Sequence, residues 1–216
     1  MPAACDTGAG PRFALEGAVF VTGAAIQWLR DGLGVIGDAS EAEALATTVP
    51  DTGDVWFVPA LTGLGSPWWD PEARGAVVGI TRGTTRAHLV RAAVESMAWQ
   101  VADVLDAARA GGCAPVELRV DGGASAMDLL CAFQADASAV PVVRARQREA
   151  TALGAAWLAG VGAGMWAEAD LAAWWEEDRR FDPTVEGRAD ADHRRPRWHA
   201  AVDRARAWAP AEGVAP

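Results

Sequence analysis

The sequence predicts an α/β domain, and three observations carry that expectation. Short apolar runs bounded by glycine and proline alternate with longer runs of helical periodicity, the order in which strands and helices form mixed layers. One long run, Arg86 to Ala110, sets Val90, Val94, Met97, Val101, Val104 and Ala108 on a single stripe, with Arg91, Glu95 and Asp103 elsewhere. Between a strand-like run, Val116 to Val120, and a helix-like one, Ala126 to Ala137, stands Asp121-Gly122-Gly123-Ala124-Ser125. Glycine has no Cβ, so such a turn lets a ligand approach the main chain. The helix start behind it offers unpaired N–H groups and a partial positive charge to an anion.

The elements follow in order. Residues 1–12 are small, polar and rich in Gly and Pro, and are expected to form an irregular arm. From Glu16 to Leu33 the apolar residues Val19, Ile26, Leu29 and Leu33 recur near helical spacing, and Gly32 and Gly34 end the pattern. A short helix is expected near Glu41 to Ala46, and a buried strand at Val55 to Pro59. A breaker-dense loop spans Thr62 to Pro71, and a strand is expected at Ala76 to Ile80. After the long helix and the glycine turn come a strand at Pro141 to Val143 and a helix from Thr151 to Leu158. Residues 13–164 are thus read as the domain proper. Residues 165–216 are read as a helical extension packed on it, with Trp-containing pieces at Ala167 to Glu177 and Asp192 to Trp208 around a turn-prone link.

Composition narrows the function classes. At 216 residues the chain suits one medium domain, and a net charge of −10 gives no general affinity for nucleic acid. Any phosphate must be held by local devices such as backbone amides, a helix start, an arginine or a metal. Lysine, asparagine and tyrosine are absent, a bias of coding more than of physics, so the all-arginine cation set is not itself a sign of phosphate binding. Cys5, Cys113 and Cys131 are odd in number and lack metal-ligand spacing, which points to free thiols, a reducing compartment and a cytoplasmic protein. No apolar run reaches membrane-spanning length, and no signal-peptide pattern opens the chain.

One long motif carries a resemblance. Gly75-Ala76-Val77-Val78-Gly79-Ile80, seven further residues, His88-Leu89 and then Ala92-Ala93-Val94-Glu95 resemble a signature of the FGGY family of carbohydrate kinases. The stretches Phe13 to Phe20, Ala25 to Asp31, Pro59 to Pro67, Arg119 to Gly123 and Thr151 to Ala156 resemble the members of that family that phosphorylate glycerol. The likeness runs from Phe13 to Trp208 and concerns only the C-terminal one of the family's two domains. It implies an actin-like ATPase, ribonuclease H-like fold, with a mixed sheet flanked by helices. It also implies ATP or ADP as ligand, and Mg²⁺ bound mainly with the other half. The catalytic aspartate and the glycerol contacts lie in the family's N-terminal domain, and no segment here resembles them. The expected partner is therefore an N-terminal kinase domain, with glycerol as substrate of the complete enzyme and no catalytic or metal-ligating residue in this chain. A lobe without its companion leaves apolar surface open, which favours self-association.

The resemblance also implies the nucleotide site. Gly23 and Gln27 match the family's Gly-x-x-x-Gln contacts; four apart on a helix they share a face, the glycine leaving room and the amide able to hydrogen-bond. The bland alternative is a packing glycine and a solvated glutamine. Gly123 matches the glycine that approaches the nucleoside, with Gly122 and Asp121 in the same turn. Four positions on, where the glycerol-phosphorylating members generally place an asparagine facing adenine, this sequence has Met127, which packs softly but cannot supply an amide's paired donor and acceptor.

Other candidates have structural readings. Arg82 after a strand end is expected to be a surface charge more than a phosphate contact, and His88 a cap or packing residue more than an acid–base group. Glu95 and Asp103, eight apart, are too far for a carboxylate dyad and are expected to be solvated or paired with arginine. Asp70 before Pro71 is expected to shape its loop. One member of each pair Trp68-Trp69 and Trp174-Trp175 is expected in the core, and His193 and His199 lack metal partners. Two other functions remain open: half of another sugar kinase of the family, or a non-catalytic remnant that binds only a nucleotide or a partner subunit.

Overall fold

The computed structural model describes residues 3–6, 10–170 and 174–209. A short antiparallel pair, β1 (Ala3–Asp6) and β2 (Pro11–Phe13), opens the chain where an irregular arm was expected. Helix α1 (Gly23–Asp31) begins seven residues later than its apolar spacing suggests, because residues 14–19 run on as unclassified chain. That stretch is held across the domain instead: Ser66 donates its backbone N–H to the carbonyl of Ala18 at 2.8 Å and its hydroxyl accepts from Ala18 at 3.0 Å.

Helix α2 (Glu41–Ala46) and the pair β3 (Trp56–Val58) and β4 (Ala76–Val78) follow, the strands antiparallel with Phe57 opposite Val77. Helix α3 (Arg86–Ala110) has the bounds that its periodicity predicts. Its start is capped by His88, whose Nδ1 accepts the backbone N–H of Thr85 at 3.1 Å, as the capping alternative expects.

Strand β5 (Leu118–Val120) leads through the glycine turn and a 3-10 turn (Gly123–Ala126) into α4 (Asp128–Ser138), then into β6 (Val142–Ala145) and α5 (Ala150–Gly162). Strands β5 and β6 are parallel, as a strand–helix–strand crossover requires. The expected all-helical tail holds a surprise. After a 3-10 turn at Glu168–Asp170, residues Glu177–Phe181 form β7, which pairs antiparallel with β6 and makes the sheet mixed. Part of the Ala167 to Glu177 helix expectation falls on 171–173, outside the described residues. The chain closes with α6 (Val185–Ala205), capped by the Thr184 hydroxyl accepting from Gly187 N–H.

Three apolar clusters hold these pieces together. The first joins α1, α2, α3 and β3 through Ile26, Leu29, Phe57, Val90, Val94 and Met97. The second sets α6 on β3 and α3, with Trp99 stacked on Trp198 at 6.4 Å and against Trp56 at 6.1 Å. The third, around Cys131, Val142 and Phe181, seals the mixed sheet against α4. Helix α3 is therefore covered on more than its one predicted stripe: every residue from Ala92 to Gln100 is buried.

That coverage corrects the picture of Glu95 and Asp103 as solvated groups and bears out their pairing. Glu95 is almost wholly buried between Arg91, at 2.9 Å, and Arg194 of α6. Asp103 receives Trp198 Nε1 at 2.7 Å and His199 Nε2 at 2.9 Å, with Arg195 at 3.6 Å. Asp70 shapes its loop, accepting the N–H groups of Glu72 and Ala73 on one oxygen and of Ala207 on the other. No helix among the described residues is long and apolar enough to cross a membrane.

Candidate nucleotide-binding site

The glycine turn is built by its backbone. Gly122 has φ +80, a left-handed conformation that other residues rarely adopt, and this frees the chain to reverse between β5 and the 3-10 turn. Its N–H donates to the carbonyl of Arg148 at 2.9 Å, and its own carbonyl accepts the Ser125 hydroxyl at 2.7 Å. Asp121 accepts the N–H of Ala150 at 3.1 Å, fastening the start of α5 to the same turn. The turn, the loop 146–149 and the α5 start thus form one hydrogen-bonded unit.

Arg144, which sequence reasoning passed over, braces this unit from beneath. It is buried, and its Nη1 reaches the carbonyls of Ser125 at 3.1 Å and Ala126 at 3.3 Å and the carboxylate of Asp128 at 2.8 Å. Nε pairs with Asp178 of β7 at 2.6 Å. Burial works against its charge, but the bonds to Asp178 and Asp128 win and raise its pKa above the ordinary value. Only its position inside an apolar strand, Val142-Val143-Arg144-Ala145, could have flagged it. Beside it, burial pushes the Cys131 thiol up to about 11, so the thiol stays protonated and inert.

Met127 departs from its expected setting. The helix does not open at Ala126; α4 starts at Asp128, and Met127 sits in the extended junction (φ −79, ψ 113) between the 3-10 turn and α4. It is half-buried and packs against the first apolar cluster.

Gly23 is the first residue of α1 and Gln27 lies one turn on, exposed, while Ala25, Ile26 and Leu29 point into the core. Ala25 and Ile26 belong to the cluster on which Ala124 and Met127 also pack, so both helix entrances border the same apolar core. Glu43 of α2 accepts the N–H of Leu129 at 2.6 Å, which ties α2 to the first turn of α4.

Do these residues fit a nucleotide? A Cβ built on Gly23, Gly122 or Gly123 would meet nothing within 4 Å. Internal packing therefore does not demand glycine at Gly23 or Gly123, and the space beside them is open, as a ligand cradle requires. The contrast within the chain is sharp: a Cβ on Gly79 would lie 1.9 Å from the carbonyl oxygen of Asp54.

Of the remaining candidates, Trp174 and Trp175 border this region, lining a cleft with Gln147, Ala150 and Gly154 at the α5 start, while the others stand elsewhere. Arg82 is exposed on the loop before α3. Trp69 is 63% exposed and meets Phe20 edge-on, while Trp68 is half-buried against the second cluster. Trp174 contacts Trp166, and Trp175 lies under Arg119. His193 is exposed, and no group of three or more His, Cys, Asp or Glu side chains among the described residues could hold a metal ion. An open groove of about 550 Å³ runs between the turn at 51–54 and α6, but its arginines are committed, Arg197 to Asp54 and Arg194 to Asp190 and Glu95.

A profile of the FGGY family of carbohydrate kinases, C-terminal domain, matches residues 2–163. The chain belongs to the FGGY family of carbohydrate kinases. This FGGY domain is 53% identical over 208 residues to a glycerol kinase of Trichlorobacter lovleyi, covering 95% of the chain and 42% of the relative. Over 180 residues it is 57% identical to a glycerol kinase of Citrifermentans bemidjiense, covering 83% of the chain and 36% of the relative. The chain thus spans about two-fifths of the length of the curated relatives it matches. Among solved structures it is similar to Plasmodium falciparum glycerol kinase with ADP, at 30% identity and TM-score 0.78 over 90% of this chain and 39% of that one. A xylulose kinase of Lactobacillus acidophilus, at 23% identity and TM-score 0.74 over 87% of this chain and 39% of that one, shares the fold. The actin-like α/β architecture that the FGGY resemblance implies is the one observed.

Proposed function

We propose that this domain is the nucleotide-binding lobe of a kinase that transfers the γ-phosphoryl of ATP to glycerol, giving ADP and glycerol 3-phosphate. The observation that carries the reading is the identity of about 53% to glycerol kinases over nearly the whole chain, joined to a glycine turn with open space beside it. Gly23, Gln27, Gly122, Gly123 and Met127 line the adenosine side of the site. Mg²⁺, held mainly by the other lobe, would supply positive charge to the phosphates.

Phosphoryl transfer depends on positioning and on neutralising charge more than on covalent chemistry. This lobe contributes the nucleotide seat and a surface that closes over it. The base acting on the glycerol hydroxyl comes from the N-terminal kinase domain, which is the partner of this lobe. The unpaired thiols of Cys113 and Cys131 support a cytoplasmic setting, and the likeness to glycerol kinases supports a place in glycerol metabolism. Exposed Phe13, Leu15, Phe20 and Trp69 support burial against that partner or against a second copy.

A coupled assay tests the reading. The purified chain should bind ADP yet phosphorylate no glycerol, and adding the N-terminal domain of a glycerol kinase should restore glycerol-dependent ADP release. Turnover by the chain alone would refute the division of labour; restored activity on a pentulose but not on glycerol would move the chain to another sugar kinase. Met127 favours one further reading, a lobe that binds nucleotide or a partner without taking part in catalysis, and failure of complementation with ADP binding intact would support it.

A further inference from the structure

We propose that Arg148 is the cation that holds the phosphates of a nucleoside di- or triphosphate at the Asp121-Gly122-Gly123 turn; the inference rests on the nucleotide reading above. The chain carries net charge −10, and Asp121 and Glu149 place two carboxylates at the turn and the α5 start. Phosphates entering there meet like charge and need a compensating cation close by.

Most arginines are already committed. Arg144 is held by Asp128, Asp178 and the carbonyls of the turn, so it braces the turn from inside. Arg146 pairs with Glu176, Arg179 with Asp128, Arg119 with Glu117, and Arg180 with Glu117 and Asp182. Among the described residues, the arginine side chains with neither an ion pair nor a hydrogen bond are Arg82, Arg86, Arg148 and Arg188. Arg82 and Arg86 sit at the start of α3, and Arg188 in the first turn of α6.

Arg148 alone of the four is fastened to the glycine turn. Its carbonyl accepts the N–H of Gly122 at 2.9 Å, and two residues on, Ala150 donates to Asp121 at 3.1 Å. The base of the side chain is therefore fixed on both flanks, while the guanidinium is exposed and unspent. Its planar set of donors suits two phosphate oxygens at once. The open space beside Gly123 leaves room for a ligand at the same turn to which the Arg148 backbone is bonded.

Calorimetric titration of the 216-residue chain with ADP and with adenosine, in EDTA so that no divalent ion masks the arginine, tests the assignment. Arg148→Ala should weaken ADP binding by about tenfold or more, and Arg148→Glu further still, as expected for loss of a charge-assisted contact. Adenosine affinity should not change in either variant, and far-UV circular dichroism should confirm an intact fold. Unchanged ADP affinity, an equal loss for adenosine, or a Glu variant no weaker than the Ala variant would overturn the inference and leave the nucleotide reading standing. Failure of the unmodified chain to bind either ligand would overturn that reading and this inference with it.

Discussion

Trp198 donates its indole N–H to Asp103 at 2.7 Å, joining helices α6 and α3 across 95 positions of sequence. Both side chains are almost wholly buried, and His199 Nε2 meets the other carboxylate oxygen at 2.9 Å. Burying a carboxylate costs free energy unless its oxygens are satisfied, and here α6 supplies the donors. With Arg194 held by Glu95 one turn earlier on α6, two buried acids on α3 fasten the last helix to the domain.

Asp103→Ala should therefore destabilise the domain by about 2–4 kcal/mol, because it strands the Trp198 N–H in the interior and takes from Arg195 one of its two carboxylates, leaving Asp106 at 3.1 Å. Urea unfolding followed by tryptophan fluorescence measures this. A loss within about 0.5 kcal/mol would mean that α6 is held by its apolar contacts alone.

Gly79→Ala should be the more damaging change, at about 3 kcal/mol or more. Gly79 has φ +85, and a Cβ there would lie 1.9 Å from the backbone oxygen of Asp54. That close approach of two main chains gives the physical reason for a glycine at this place in the signature. Gly154→Ala, whose Cβ meets nothing within 4 Å, serves as the control and should be neutral or slightly stabilising inside α5.

Gly23→Trp should block ADP binding without unfolding the domain, since the space beside Gly23 is empty of protein atoms. Calorimetry beside a thermal melt reads both quantities. Undiminished affinity would remove Gly23 from the nucleotide site.

Met127→Asn should raise the preference for ADP over GDP by about 2- to 10-fold, the range expected for one neutral hydrogen bond. Residue 127 is also the N-cap of α4 and caps nothing with its side chain, so an asparagine there has a rival use. Higher melting temperature with unchanged nucleotide preference would show that the new amide caps the helix and does not face the base.

The Cys131 thiol gives the domain a pH dependence of known sign. Its folded pKa, about 11, lies above the ordinary 9.0 because burial penalises the thiolate. The proton is held more tightly in the folded chain, so this contribution is complete below about pH 9 and is lost as pH rises toward about 11. Urea midpoints measured from about pH 8 to about pH 11 should fall more steeply for the native chain than for Cys131→Ala. Parallel curves would assign the alkaline loss to other groups.

Much of the architecture was legible from local signals. Helices α2 and α3 have their predicted bounds because their periodic runs are flanked by capping and breaking residues. Strand β7 was not legible, since Glu177-Asp178-Arg179-Arg180 shows no alternation of apolar and polar residues. It is recruited by hydrogen bonds to β6 and by Arg144, whose guanidinium needs Asp178. The late start of α1 has a similar origin, because Ala18 bonds to Ser66 and not to its own helix neighbours.

By itself the sequence determined the α/β class, the glycine turn between β5 and α4, the long α3 and the membership of a kinase family. Those features rest on spacing and on residues such as Gly122, whose chemistry acts within a few positions of the chain. Which charges are spent and which are free was decided only by the tertiary structure. Glu95, Asp103 and Arg144 find partners on helices and strands distant in sequence, and a buried charge is tolerated only where folding delivers those partners to it.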